Sequence, residues 1–199
     1  MGDGRRRYPA ADSLYGVETA RSVFREVLLH IRHRKKGLLL FCGREYRGPV
    51  IAAAIKPVLE GATVAVVDGG SMFDPYVISR VSRMVNADPR RVLPRFFISR
   101  GFTCHQMEHL LVFHLPTLMD KEHPRLLIVA GLLETFYDDD VPLKEASTLF
   151  RRTITALSAY ARELPILVIS PLPPAVAGER SRFFTILTER ATHIYPGNR

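Results

Sequence analysis

Apolar residues recur at helical spacing at Val17, Ala20, Phe24, Val27, Leu28 and Ile31, which predicts a helix over 17–33. Gly37 breaks it, and Leu38–Cys42 is a short continuous apolar run. Such a run next to glycine suits a strand buried on both faces of a parallel sheet. Gly48-Pro49 then opens a helix over Val50–Leu59, with proline in the first turn, where its missing N–H costs nothing. The alternation continues along the chain. Strands are expected at Thr63–Val67, Phe96–Ser99, Arg125–Ala130, Ile166–Ser170 and Ala191–Tyr195. Helices are expected at Pro75–Val85, Cys104–Leu115 and Pro142–Leu164, the last near heptad spacing through Leu143, Ala146, Phe150, Ile154, Leu157, Ala161 and Leu164.

Strands alternating with helices imply βαβ units, a mostly parallel sheet flanked by helices, and right-handed crossovers. In such sheets ligands bind at the carboxyl ends of the strands. The 43–50, 68–73 and 130–140 segments each follow a strand, so all three are expected on one edge. The 199 residues suit one α/β domain over 13–199, preceded by a flexible basic tail over 1–12. No apolar run approaches the length of a membrane span, and Met1–Ala11 lacks the apolar stretch of a secretory signal. Two cysteines, Cys42 and Cys104, cannot make a framework of several bridges. The expectation is a reduced intracellular protein, cytoplasmic or, in a eukaryote, nuclear, with no membrane partner.

The segment Gly43-Arg44-Glu45-Tyr46-Arg47-Gly48-Pro49-Val50 has the glycine spacing of a phosphate-binding loop, G-x-x-x-x-G-K-[ST]. In such loops backbone N–H groups cradle phosphate, the lysine neutralises it, and the hydroxyl holds Mg²⁺. Here Pro49 stands at the lysine position and Val50 at the hydroxyl position. Proline also removes one backbone donor. Arg44 and Arg47 offer partial replacement for the lysine, since guanidinium pairs well with phosphate. The amides at a helix N-terminus favour an anion as well. Gly43, Arg44, Arg47 and Gly48 are therefore the candidate nucleotide or anion site, with weak ATP or other anion binding and no obligatory cofactor. A glycine pair between strand and helix is also compatible with a plain βα turn.

The formal net charge of +8 permits a nucleic-acid or acidic partner. The densest basic clusters are Arg5, Arg6 and Arg7, and the run Arg32-His33-Arg34-Lys35-Lys36. Cations after a helix are also favourable to its dipole, so a solvated helix end is the simpler account of the second cluster.

Several segments together resemble the RecA/RadA-type recombinase family. Arg100-Gly101-Phe102-Thr103-Cys104-His105-Gln106 resembles the family's R-A-F-N-x-x-H-Q stretch, one residue shorter. Val67-Asp68-Gly69-Gly70-Ser71-Met72-Phe73-Asp74-Pro75 resembles I-D-T-E-G-T-F-x-P. Leu126–Ala130 resembles the Walker B strand, and Val168-Ile169-Ser170 the strand ending in a polar sensor. The likeness spans about residues 14–195. It implies a RecA-like P-loop domain whose chemistry has been lost: the family's catalytic Glu falls at Gly70, its Walker B Asp at Ala130, and its sensor pair near Pro171 and Leu172. Efficient hydrolysis is not expected, and no catalytic or metal-binding residue is assigned.

What the resemblance implies is a degenerate recombinase-like protein serving as an accessory or structural partner in DNA recombination or repair. Its partners would be DNA and a recombination or repair protein, with oligomers formed through the recombinase-like core. Candidate DNA contacts are Arg5, Arg6, Arg7, Arg34, Lys35 and Lys36, and, in the second of the family's DNA-binding loops, Arg180 and Arg182. The first such loop corresponds to Glu134–Glu145, whose Asp138-Asp139-Asp140 repels phosphate. Two alternatives stand beside this: a nucleotide- or anion-sensing module that does not hydrolyse, and a weak ATPase in which Asp74 or Glu134 replaces the lost acids.

Two further groupings carry less. His105 and His109 share a helical spacing suited to metal, but no third ligand accompanies them. Cys104 adjoins His105; neighbours on a helix do not face each other, and an unreactive, half-buried thiol is expected.

Overall fold

The computed structural model describes residues 19–33, 35–71 and 73–197. The predicted tail, with Arg5, Arg6 and Arg7, and the candidate Arg34 lie outside them. One six-stranded sheet organises the described chain. Its strands are β1 (Gly37–Cys42), β2 (Val64–Gly69), β3 (Phe96–Gly101), β4 (Leu126–Ala130), β5 (Pro165–Ser170) and β6 (His193–Tyr195), in the order β3-β2-β4-β5-β1-β6. Every pairing is parallel; Leu40 lies beside Val168, and Asp68 beside both Arg100 and Ala130.

The continuous apolar runs are explained by burial on both faces. Along β1, Leu39 and Phe41 face one core, while Leu38, Leu40 and Cys42 face the other. The first core is covered by α1 (Thr19–Arg32), α2 (Arg47–Leu59), α3 (Pro75–Met84) and α4 (Pro89–Val92). The second is covered by α5 (Cys104–His109), α6 (Leu115–Glu122), α7 (Leu132–Phe136), α8 (Leu143–Tyr160) and α9 (Arg182–Arg190). This division follows from right-handed crossovers. The chain steps from β1 to β2 to β3 in one direction and back through β4 and β5 in the other, so the connecting helices change face. The helix that follows each strand changes layer between the neighbours β3 and β2, between β2 and β4, and again between β5 and β1. Crevices open at such points.

Several boundaries differ from expectation, most of all at two helices. The helix expected at Val50 begins three residues earlier, at Arg47, after a 3₁₀ turn over Arg44–Tyr46. Pro49 is still accommodated, because the whole first turn of a helix lacks N–H acceptors. The helix from Cys104 runs on to Glu122 through a π-helical stretch, Leu110–His114, which spoils the 3.6-residue period. Three helices, α4, α7 and α9, are absent from the expectation; α4 and α7, of four and five residues, are too brief to show periodicity. No helix among the described residues is long and apolar enough to cross a membrane.

Candidate functional site

The 43–50, 68–73 and 130–140 segments do meet on the edge where the strands end. Gly69 shows how closely: a Cβ there would lie 2.5 Å from the Gly131 carbonyl oxygen. Gly131 itself has φ +67, which starts α7 and aims Glu134 back across the edge. The Glu134 carboxylate accepts a hydrogen bond from the Arg44 guanidinium and forms an ion pair with it. It also overhangs Gly70, whose φ is +68 and whose Cβ would come within 3.0 Å of Glu134 Oε2. Arg44, Glu134 and Gly70 thus form one cluster drawn from the ends of β1, β4 and β2.

The glycine-spaced loop is folded in on itself. Tyr46 is 4% exposed. Its ring packs against Phe41 at 5.5 Å between centroids, and Phe41 stacks on Tyr195 at 4.6 Å. The Tyr46 hydroxyl donates to the Pro196 carbonyl. Burial, and then the Glu45 carboxylate, push the Tyr46 phenol above its ordinary pKa. Gly197 lies against the Cys42 carbonyl, too close for any side chain. The Glu45 carboxylate curls over Gly43, where a Cβ would stand 2.2 Å from Oε2. Arg47 Nε donates to the Arg44 carbonyl at 3.2 Å, closing the turn. Pro49 and Val50 are buried in the first core, so the positions of the lost lysine and hydroxyl face no solvent.

An open cavity of about 450 Å³ lies beside this turn, lined by Arg44, Glu45, Arg47, Gly48, Asp74 and Arg80 among others. Three guanidiniums give it a cationic wall, and Arg80 is a contributor that sequence motifs did not single out. Asp74 also serves its helix: its carboxylate caps α3 by accepting from the Tyr76 N–H at 2.8 Å. Asp68 is fully buried. It accepts from the Phe73 N–H at 3.0 Å and sits 3.1 Å from Arg100 Nε, while Arg100 Nη2 donates to the Phe73 carbonyl at 2.7 Å. Asp68 and Arg100 therefore clamp the 69–73 turn.

The remaining candidates fall in different places. Arg180 is not a surface contact: it is 8% exposed and donates to the Phe136 carbonyl at 3.0 Å and to the Val141 carbonyl. Those carbonyls flank the acidic Asp138-Asp139-Asp140 loop, so Arg180 is spent on holding it, and its candidacy as a DNA contact is withdrawn. Arg182 is exposed; Nη2 donates to Ser147 Oγ at 2.5 Å, and its guanidinium lies 5.8 Å from the Phe183 ring centre. Lys35 and Lys36 are exposed on the opposite edge, where β1 begins.

Cys104 and His105 do come together, despite being neighbours. His105 Nδ1 lies 3.8 Å from Cys104 Sγ, and His105 Nε2 lies 2.8 Å from Glu145. The geometry resembles a thiol relay, but Cys104 is 1% exposed and burial raises its thiol pKa. The side chain is closed off from solvent. His109 turns instead to Phe113, 5.6 Å between ring centres, so the two histidines do not converge on a metal.

A scan against models of known protein families finds no match, and no curated protein matches the chain.

Proposed function

We propose that this chain is a RecA-like protein with a degenerate phosphate loop, acting as an accessory or structural partner in DNA recombination or repair rather than as an ATPase. The observation that carries the non-hydrolytic half is the closed Arg44–Tyr46 turn. Arg44, one of two cations that offered to replace the missing lysine, is engaged by Glu134, and Tyr46 fills the loop from within. Hydrolysis needs a charge clamp, a metal ligand and a base. Pro49 and Val50 supply neither of the first two, and Gly70 and Ala130 carry no carboxylate. The recombination half rests on the ordered resemblance of residues 14–195 to the recombinase core, which is an argument from fold and sequence rather than from a site.

Two measurements test it. ATP turnover by the purified protein with Mg²⁺ is expected at background. Association with the recombinase of the same organism is expected by co-sedimentation of the two purified proteins; its absence, with no effect on strand exchange, removes the partner role.

A second reading is favoured by the cavity walled by Arg44, Arg47 and Arg80: a sensor that binds nucleotide without hydrolysing it. It expects saturable, Mg²⁺-independent binding that is lost in Arg47→Ala.

A further inference from the structure

The two edges of the sheet differ in charge. The edge where strands end is mixed: Glu45, Asp74, Glu134 and the Asp138-Asp139-Asp140 run lie there beside Arg44, Arg47, Arg80 and Arg100. The edge where strands begin carries cations, and they line three neighbouring depressions. One, of about 500 Å³, is lined by Lys35, Lys36 and His30 between α1 and β6. The next is lined by Arg32, Lys56 and Arg125 between α1, α2 and β4. The third, of about 990 Å³, is lined by Arg90, Arg91 and Arg95 between α2, α4 and β3. Adjacent depressions share α1 or the end of α2, so they form one track from β6 to β3.

Four carboxylates also line the track, namely Glu26, Glu60, Asp88 and Glu122, half as many as the cations. Three of them have partners: Asp88 caps the Arg90 N–H at 2.9 Å, Glu122 lies 3.7 Å from Lys121, and Glu26 is hydrogen-bonded with the Tyr195 phenol. By contrast, Arg32, Lys36, Lys56, Arg90, Arg91 and Arg125 form no ion pair among the described residues. Five of these six are exposed, Lys56 being half-buried.

Helix dipoles explain only part of this. A cation in the last turn of a helix is favoured, which covers Arg32, Lys56, Arg90, Arg91 and Arg95. Lys35, Lys36 and Arg125 lie beyond helix ends, at the entries to strands.

We infer that the strand-entry edge is a docking surface for the phosphate backbone of duplex DNA, bound without regard to sequence. This deepens the recombination reading above and rests on it. The dimensions suit a duplex. Five inter-strand gaps make a track of about 24 Å, and a duplex carries one charge per about 1.7 Å of axis, or roughly seven base pairs over that length. Single strands are usually held by aromatic stacking platforms. The exposed phenyl and phenol side chains among the described residues, Tyr76, Phe102 and Phe113, lie off the track, and the two that line it, Phe97 and Tyr195, are half-buried and buried.

The test is binding of a 20-base-pair duplex to the full chain by fluorescence anisotropy across a salt series. The variant K36A/K56A/R90A/R91A removes four cations that make no ion pair; Arg151→Ala, on the outer face of α8, is the control. The variant is expected to bind about tenfold more weakly or worse at low salt, with a salt slope smaller by about three to four, while the control matches wild type. Circular dichroism and thermal melting confirm that the variant folds; should it not, the reversible pair Arg90→Ala and Lys36→Ala, taken singly, each lowers the slope by about one. Duplex binding unchanged in the variant overturns the surface while leaving a DNA role standing. No duplex binding at low salt overturns direct contact altogether, and the association with a recombinase, measured separately, decides the partner role. Equal or tighter binding of single-stranded DNA, duplex RNA or a poly-glutamate peptide overturns the assignment to duplex DNA.

Discussion

The carboxylate of Glu134 rests over Gly70, with Oε2 3.0 Å from where a Cβ would stand there, and reaches across to Arg44. An acid supplied by a helix after β4 thus covers the place where β2 supplies none. Gly70 is constrained twice, by that contact and by its φ of +68. Gly70→Ala is expected to destabilise the protein by about 1–2 kcal/mol. Combining it with Glu134→Ala should recover only the steric share, since the backbone conformation remains. Urea denaturation of the three variants checks this.

Arg180 and Arg182 are two residues apart and should behave differently. Removing the Arg180 side chain leaves the buried Phe136 and Val141 carbonyls without their donor, at about 2–4 kcal/mol. Lysine should not restore it, because a single ammonium does not reproduce the forked geometry. Arg182→Ala, at an exposed hydrogen bond to Ser147, is expected within about 1 kcal/mol of wild type. Denaturant midpoints for Arg180→Ala, Arg180→Lys and Arg182→Ala decide the matter.

Stability should fall steeply in alkali. Burial, followed by the nearby Glu26 carboxylate, pushes the Tyr195 phenol up to about 12, and burial also raises Tyr46 and Tyr137. Each is neutral when folded and ionises more easily when unfolded. Their contribution is complete below the ordinary phenol pKa near 10 and is lost as pH rises through the folded values. For Tyr195 the loss between pH 10 and 12 is on the order of 2–3 kcal/mol. Tyr195→Phe should flatten that part of the stability curve, as followed by denaturation at successive pH values.

Both thiols should be inert in the native protein. Cys42 and Cys104 are buried, and desolvation raises the pKa of each. Reaction with a disulfide reagent at pH 8 is expected to be slow until denaturant is added, when two equivalents react rapidly. Fast native labelling of Cys104 would revive the relay with His105 and Glu145.

The central strands and their parallel arrangement were readable because apolar runs such as Leu38–Cys42 and Leu126–Ala130 are long enough to need burial on both faces, whereas β3 and β6, at the sheet edges, are only partly buried. The meeting of three loops on one edge followed from that topology. What the periodicity did not carry was the start of α2, since Gly48 and Pro49 look like a loop but fit within a helix's first turn. It also missed α7, whose five residues complete barely more than one turn and deliver Glu134 to the site. Arg180 looked like a surface cation because its partners are backbone carbonyls, which leave no mark in a sequence. The sorting of Arg90, Arg91, Arg95 and Arg125 onto one edge was likewise invisible, because they are scattered along the chain and only the parallel sheet brings them into line.

The placement of β1 between β5 and β6 has a consequence for how the molecule assembles. On the ribosome, the first strand is made early and its hydrogen-bonding neighbours come last. The pairs among β2, β3 and β4 close much shorter stretches of chain, and loop closure favours them. Leu38–Cys42 must therefore wait, apolar and unpaired, while that half of the sheet forms. It is the segment most exposed to aggregation in a nascent chain, and the place where a chaperone would have most to protect.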